Sequence, residues 1–339
     1  ADREFARMAP TDNPFRHLTN LADSRLGAKA VFTTDDWFGP GERLLEPHDP
    51  VFYPGRFDER GQWMDGWETR RRRTSGNDYA IIRLGYPGAL AGIDIDTSHF
   101  TGNYPPAASI EACYCPNGDP DDSTIWVSLL HSVDITADSH HFLPVADKGL
   151  YSHVRLNIYP DGGVARLRVY GMPTCDWQTL RESSERIDLF ALRYGGRAIT
   201  CNDEHYGSIK NLNLPGRGLN MGDGWETRRR REPGNDWALL ALGHAGVVKS
   251  VEVDTAHFKG NYPDACSIQA AYVRGGTESS LVTQSMFWDE LLPKQRLQAD
   301  HNHCFEDEVR EIGPITHIRL NIIPDGGISR LRIFGHVEQ

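Results

Sequence analysis

Short runs in which apolar and polar residues alternate recur along the chain. Examples are Ala80-Ile81-Ile82-Arg83-Leu84, Gly92-Ile93-Asp94-Ile95-Asp96 and Val247-Val248-Lys249-Ser250-Val251-Glu252-Val253. They are rich in β-branched residues and bounded by Gly, Pro, Asn or Asp, so they read as half-buried β-strands rather than helices. Val154-Arg155-Leu156-Asn157-Ile158 and Val164-Ala165-Arg166-Leu167-Arg168-Val169 flank Pro160-Asp161-Gly162-Gly163. That pattern predicts a β-hairpin with apolar side chains on one face and Arg and Asn on the other.

The pattern occurs twice. Asp65-Gly66-Trp67-Glu68-Thr69-Arg70-Arg71-Arg72-Arg73 recurs letter for letter from Asp223 to Arg231, and Asp96-Thr97-Ser98-His99-Phe100-Thr101-Gly102-Asn103-Tyr104-Pro105 returns in closely similar form from Asp254 to Pro263. Both pairs are 158 residues apart (223 − 65 and 254 − 96). His153 to Gly163 matches His317 to Gly327 at an offset of 164, so the second copy carries six more residues between these motifs. A duplicated all-β domain follows, each copy large enough to close two packed antiparallel sheets around a core. The expected division is an N-terminal arm over 1–29, a first sandwich over 30–171, a partly helical connector over 172–197 and a second sandwich over 198–339.

On an extended segment Glu68, Arg70 and Arg72 share one face, opposite Trp67 and Thr69. That places a carboxylate beside two guanidiniums, either as an anion-binding fork or as a solvated ion-pair network. Glu226, Arg228 and Arg230 repeat it. In the second motif a strand ends and a loop delivers Asp96, His99, Asn103 and Tyr104 together, with Asp254, His257, Asn261 and Tyr262 as counterparts. A histidine beside a carboxylate can move protons or join a metal site, or it can be a satisfied hydrogen-bonding group in a turn. Asn157 and Asn321 lie inside strands beside Arg155 and Arg319, where they line a polar cleft, a wet surface or a subunit contact.

Composition narrows the partners. The 339 residues carry 47 acidic and 36 basic side chains for a net charge of −11, which opposes nucleic-acid binding. No apolar run is long enough to span a bilayer as a helix, and the charged start shows no secretory signal, so the expected compartment is the cytoplasm. The six cysteines form no CxxC pair and read as reduced thiols. No metal site is assigned and no cofactor is required by the sequence, although a divalent ion at the Asp96 and His99 loop would be compatible with it. The basic residues comprise 30 Arg and only 6 Lys. No GxSxG elbow, GxGxxG fingerprint or P-loop is present, so covalent serine chemistry and nucleotide cofactors have no support.

Taken together, Thr34-Asp35-Asp36-Trp37-Phe38, Pro50-Val51-Phe52-Tyr53-Pro54-Gly55, Trp63-Met64-Asp65-Gly66-Trp67-Glu68 with Arg70 and Arg71, and the Asp96 to Pro105 motif resemble the allantoicase (allantoate amidinohydrolase) family over nearly the whole chain. The resemblance implies two tandem jelly-roll β-sandwiches of the galactose-binding-like kind. It also implies a hydrolase of purine breakdown that converts allantoate and water to ureidoglycolate and urea, acting on a small anion and assembling as a homo-oligomer. Bond cleavage at a carbon bearing a carboxylate and two ureido groups needs a carboxylate clamp, an acid, a base and amide-recognising groups. Arg70 and Arg72, or Arg228 and Arg230, are the candidates for the clamp. Glu68 and His99, or Glu226 and His257, are the candidates for proton transfer; Asn103 and Tyr104, or Asn261 and Tyr262, would meet the ureido groups. The competing reading is a non-catalytic tandem carbohydrate-binding or scaffold protein, since sandwiches of this kind often only bind.

Overall fold

The computed structural model describes residues 12–339, and the chain divides into two compact units, one ending at Thr174 and the other starting at Cys175. Each unit is an antiparallel β-sandwich organised by one long strand. In the first unit this is Asp78–Asp96, which joins the two short strands read from the sequence into a single 19-residue element. Its first half pairs with Lys29–Thr33 on one side and Leu150–Tyr159 on the other, and the layer continues through Ala107–Cys113 to Val127–Asp134. Its second half pairs with His140–Pro144 and with Arg166–Pro173, and Thr19–Asn20 closes that layer. The strand changes layer near Gly88, where a Cβ would collide with the carbonyl of Met172.

The core lies between the layers. Ile82, Val154 and Leu156 face Ile93, Ile95 and Val169, all completely buried. Burying such side chains stabilises each unit by about 1.5–3 kcal/mol per residue. The second unit repeats the plan around Asp236–Asp254, with Ile318, Leu320, Val251, Val253 and Ile333 at its centre. Its longer connection between the strands Ala265–Ala271 and Asp289–Arg296 contains a helix, Glu278–Ser285. Within the segment expected as a connector, a helix at Trp177–Ser183 packs Trp177 and Leu180 on the second unit's core, and Ile187–Asp188 pairs with Arg330–Val337. Of the expected arm, residues 1–11 lie outside the described residues, while Thr19–Asn20 is an edge strand of the first sandwich.

The expected hairpin around Pro160-Asp161-Gly162-Gly163 does not form. Leu150–Tyr159 and Arg166–Pro173 belong to different layers, each paired with a different half of Asp78–Asp96. The hydrogen bonds of the turn go instead to the Trp67 motif. Gly163 and Val164 pair with Glu68 and Trp67, the Thr69 amide donates to the Gly162 carbonyl, and the Gly162 amide donates to the Thr69 hydroxyl. Arg166, expected on a polar outer face, is fully buried. Gly163 has no room for a side chain because the buried ring of Phe100 occupies that space, as Phe258 does beside Gly327. Gly163→Ala should therefore overpack the first sandwich and lower its stability by about 1–3 kcal/mol, read from the midpoint of denaturant unfolding. An unchanged midpoint would contradict this packing.

Candidate active site

The ladder between Trp67–Glu68 and Gly163–Val164 sets out the site from the backbone upward. Trp67 is completely buried and donates its indole N–H to the Asp35 carbonyl at 2.8 Å, and Trp225 does the same to Asp203 at 2.8 Å. The Asp35 loop is thereby held against the arginine-rich segment. Its carboxylate accepts from the Arg70 amide at 3.1 Å and from Arg70 Nε at 2.7 Å. Arg72 donates from its backbone to Asp161 at 2.6 Å and from Nη1 to the buried Asp78 at 2.9 Å. The second unit repeats both pairs, Arg228 with Asp203 at 2.9 Å and Arg230 with Asp236 at 3.0 Å. The segment expected to present open forks thus directs them at carboxylates of its own unit. An incoming anion would meet the outward edges of Arg70 and Arg228, whose side chains are 60% and 65% exposed.

Glu68 points from the ladder toward the loop of the second motif, where Asn103 Nδ2 donates to its Oε1 at 2.8 Å. The Asn103 carbonyl in turn accepts from the Gly163 amide at 2.6 Å, so the loop and the ladder are fixed to one another. Burial pushes the Glu68 carboxyl above its ordinary value, and the Asn103 hydrogen bond only partly opposes this. Glu226 and Asn261 form the same contact in the second unit. Tyr104 is half-buried against the core, so its ring serves packing as well as the loop.

His99 stands apart from this pair. Among the described residues its contacts are the Pro50 carbonyl, 3.1 Å from Nε2, the Phe52 ring and the Asp138 carboxylate, which accepts from its backbone N–H at 2.8 Å. A carbonyl only accepts, so Nε2 carries the proton and Nδ1 of the neutral ring is an acceptor. His99 and its counterpart His257 both have left-handed backbone, with φ of 69° and 71°. Asp300 holds the His257 amide and the Gly218 carbonyl lies 2.7 Å from its Nε2. Such conformations are strained for a residue with a side chain and persist where surrounding contacts enforce them.

Other charged groups were not singled out from the sequence. Arg166 bonds Asp65 at 2.8 Å, and Asp65 lies 3.6 Å from His48 Nε2. The buried Asp94 pairs with the half-buried His140 at 2.8 Å. Burial pushes Asp94 up despite that hydrogen bond, while burial works against the charged form of His140 but Asp94, Asp96 and Asp49 together prevail and raise it. The recurrence of Arg166-Leu167-Arg168 as Arg330-Leu331-Arg332 was a usable signal for the first cluster. None existed for His140, because the position matching it in register is Asn302. No group of three or more His, Cys, Asp or Glu side chains among the described residues is arranged to hold a metal ion, and no helix there is long and apolar enough to cross a membrane.

The duplicated geometry coincides with a duplicated family signature. The allantoicase repeat matches residues 19–174 and again 187–338. The chain belongs to the allantoicase family. A probable allantoicase of Burkholderia mallei is 58% identical over 324 residues, 96% of each chain. Another of Pseudomonas syringae pv. tomato is 58% identical over 326 residues, 96% of this chain and 98% of that one. The crystal structure of an allantoicase from Saccharomyces cerevisiae is similar with a TM-score of 0.78 and 34% identity, covering 94% of this chain and 93% of that one. Family membership and fold therefore rest on both repeats rather than on a single motif.

The Asp35 and Arg70 pair gives a pH signature. Burial works against ionisation of Asp35, but hydrogen bonds from Arg70 and the backbone prevail and hold its carboxyl below the ordinary value. A carboxyl depressed in the folded state adds stability above the unfolded pKa and loses that contribution as pH falls through the folded one. Arg70→Ala should raise the Asp35 pKa in an NMR titration. It should also lower stability at neutral pH by an amount that shrinks as pH drops below the ordinary aspartate range. A difference independent of pH would contradict the pairing.

Proposed function

We propose that this chain is an allantoicase that hydrolyses allantoate to ureidoglycolate and urea. The observation that carries this reading is the likeness, along both repeats and nearly the whole length, to proteins that bear the allantoicase name. The six free cysteines suit the reducing cytoplasm, where we place the activity.

Release of urea breaks the bond between the central carbon of allantoate and one ureido nitrogen. Glu68, kept protonated more readily by burial, donates its proton to the departing nitrogen. The remaining ureido nitrogen supplies its electron pair, leaving an iminium-like carbon. Water adds to that carbon and gives up a proton to a base, for which the Nδ1 lone pair of His99 is our assignment. Proton donated and proton received balance, with water consumed and urea released. Asn103 holds the acid in place and, with Tyr104, borders the ureido groups. The exposed edge of Arg70 meets the substrate carboxylate, and Arg72 supports the segment through Asp78. Glu226, His257, Asn261, Tyr262, Arg228 and Arg230 provide the equivalent set in the second repeat.

Purified protein should release urea from allantoate and not from arginine, agmatine or guanidinoacetate, which lack a carbon carrying both a carboxylate and a ureido nitrogen. Absence of urea from allantoate would overturn the proposal. The Glu68→Gln and Glu226→Gln changes combined should lower kcat by about two to four orders of magnitude with the fold intact, and each single change reads the share of its own repeat. A loss in one variant alone assigns the reaction to that repeat. Full activity in both would remove these carboxyls from the chemistry.

A further inference from the structure

The outer face of the five-stranded layer carries the same polar row in both repeats, but the two faces are finished differently. In the second repeat Arg319 lies opposite Gln269 and Asn321 opposite Ser267. The helix Glu278–Ser285 covers them. Arg319 Nη1 donates to the buried Ser285 hydroxyl at 2.8 Å, and Gln269 Nε2 donates to the carbonyls of Met286 and Trp288, each at 3.2 Å. Gln269 Oε1 accepts from Asn321 at 3.1 Å. The protein supplies its own occupant.

In the first repeat no helix intervenes between Ala107–Cys113 and Val127–Asp134, and the same face opens into a cavity of about 470 Å³ lined by Asn77, Tyr79, Glu111, His131, Arg155 and Asn157. Glu111 stands where the second repeat has Gln269. Its Oε2 accepts from Arg155 Nε at 2.7 Å and from Asn157 at 2.8 Å. The contacts within this cluster run through Glu111 Oε2 and Arg155 Nε and Nη2, which leaves Oε1 and Nη1 of two cavity-lining side chains for an occupant, the positions that chain atoms satisfy in the second repeat. The Arg155 guanidinium also lies over two aromatic rings, 4.4 Å from the centre of Trp126 and 5.3 Å from that of Tyr79.

We propose that this face of the first repeat is a second ligand site that recognises the ureido group of a small molecule. The required occupant donates an N–H to Glu111 Oε1 and accepts from Arg155 Nη1, which a group carrying N–H and C=O side by side does. A lone carboxylate is repelled by Glu111, and a guanidinium offers nothing to Arg155. The Glu111 and Arg155 charges compensate each other, so the recognised group is neutral. The volume accommodates a whole small ureide. Choosing a ureido group over a simple carboxamide rests on the proposed substrate, since such compounds surround an enzyme that consumes allantoate.

Ethylurea, which lacks the carbon that allantoate hydrolysis cleaves, separates this proposal from that activity. Titrated into the full chain, it should shift the NMR signals of Tyr79 and Trp126. Its affinity should fall about ten- to a hundredfold in Glu111→Gln and stay unchanged in Glu68→Gln. Glu111→Gln reproduces the residue the second repeat already carries, and Ser128→Tyr, which fills the opening from an exposed strand, should block binding independently. Equal binding to wild type and both pocket variants would overturn the proposal. So would loss in Glu68→Gln alone, or comparable binding of acetate or ethylguanidinium. Failure to release urea from allantoate would overturn the proposed activity and leave this readout standing.

Discussion

The two-residue ladder between Trp67–Glu68 and Gly163–Val164 is the constraint on which the candidate site depends. It diverts the hydrogen bonds of the 160–163 turn from an ordinary hairpin to the Trp67 motif. Through it Asp161 reaches the Arg72 amide, the Gly163 amide reaches the Asn103 carbonyl, and Glu68 meets Asn103. Phe100 beneath Gly163 and Trp67 behind Asp35 anchor the arrangement in the core. A side chain held by buried supports of this kind needs little reorganisation when charge develops beside it.

Pairing within the unit changes the role of the arginines. Arg72 and Arg230 contact carboxylates that are themselves buried, so they complete the structure before any substrate arrives. Arg70 and Arg228 remain mostly exposed and offer an outward edge whose charge is tempered by Asp35 or Asp203. Glu68 and His99 lie in different contact networks, Glu68 with Asn103 and His99 with Pro50, Phe52 and Asp138. The repeats agree at this end of the sandwich and diverge on the sheet face, where an insertion fills one surface and leaves its counterpart open.

Much of this was legible in the sequence because duplication repeats both the apolar pattern and its chemistry. Strand positions, the sandwich class and the Glu68, Asn103 and His99 motifs follow from alternation and from recurrence, exact around Glu68 and close around His99 and Asn103. Local turn chemistry predicts a hairpin around Asp161 but says nothing about the distant Trp67 segment that captures its hydrogen bonds. Alternation also placed Arg166 outside, whereas Asp65 and backbone carbonyls satisfy it in the interior. Asp35 as the partner of Arg70 lies 35 residues away and depends on a tertiary contact through Trp67. His140 has no histidine counterpart in the other repeat, so the comparison that revealed the rest concealed it.

The central claim is that Glu68 acts as the acid because Asn103 and the ladder position it. A double-mutant cycle on kcat for urea release, using Glu68→Gln, Asn103→Ala and the pair in a Glu226→Gln background that silences the second repeat, tests that claim directly. If Asn103 works through Glu68, its substitution lowers kcat while Glu68 is intact and has little further effect once Glu68 is Gln. Losses that simply add would show that the two side chains act independently and would contradict the account.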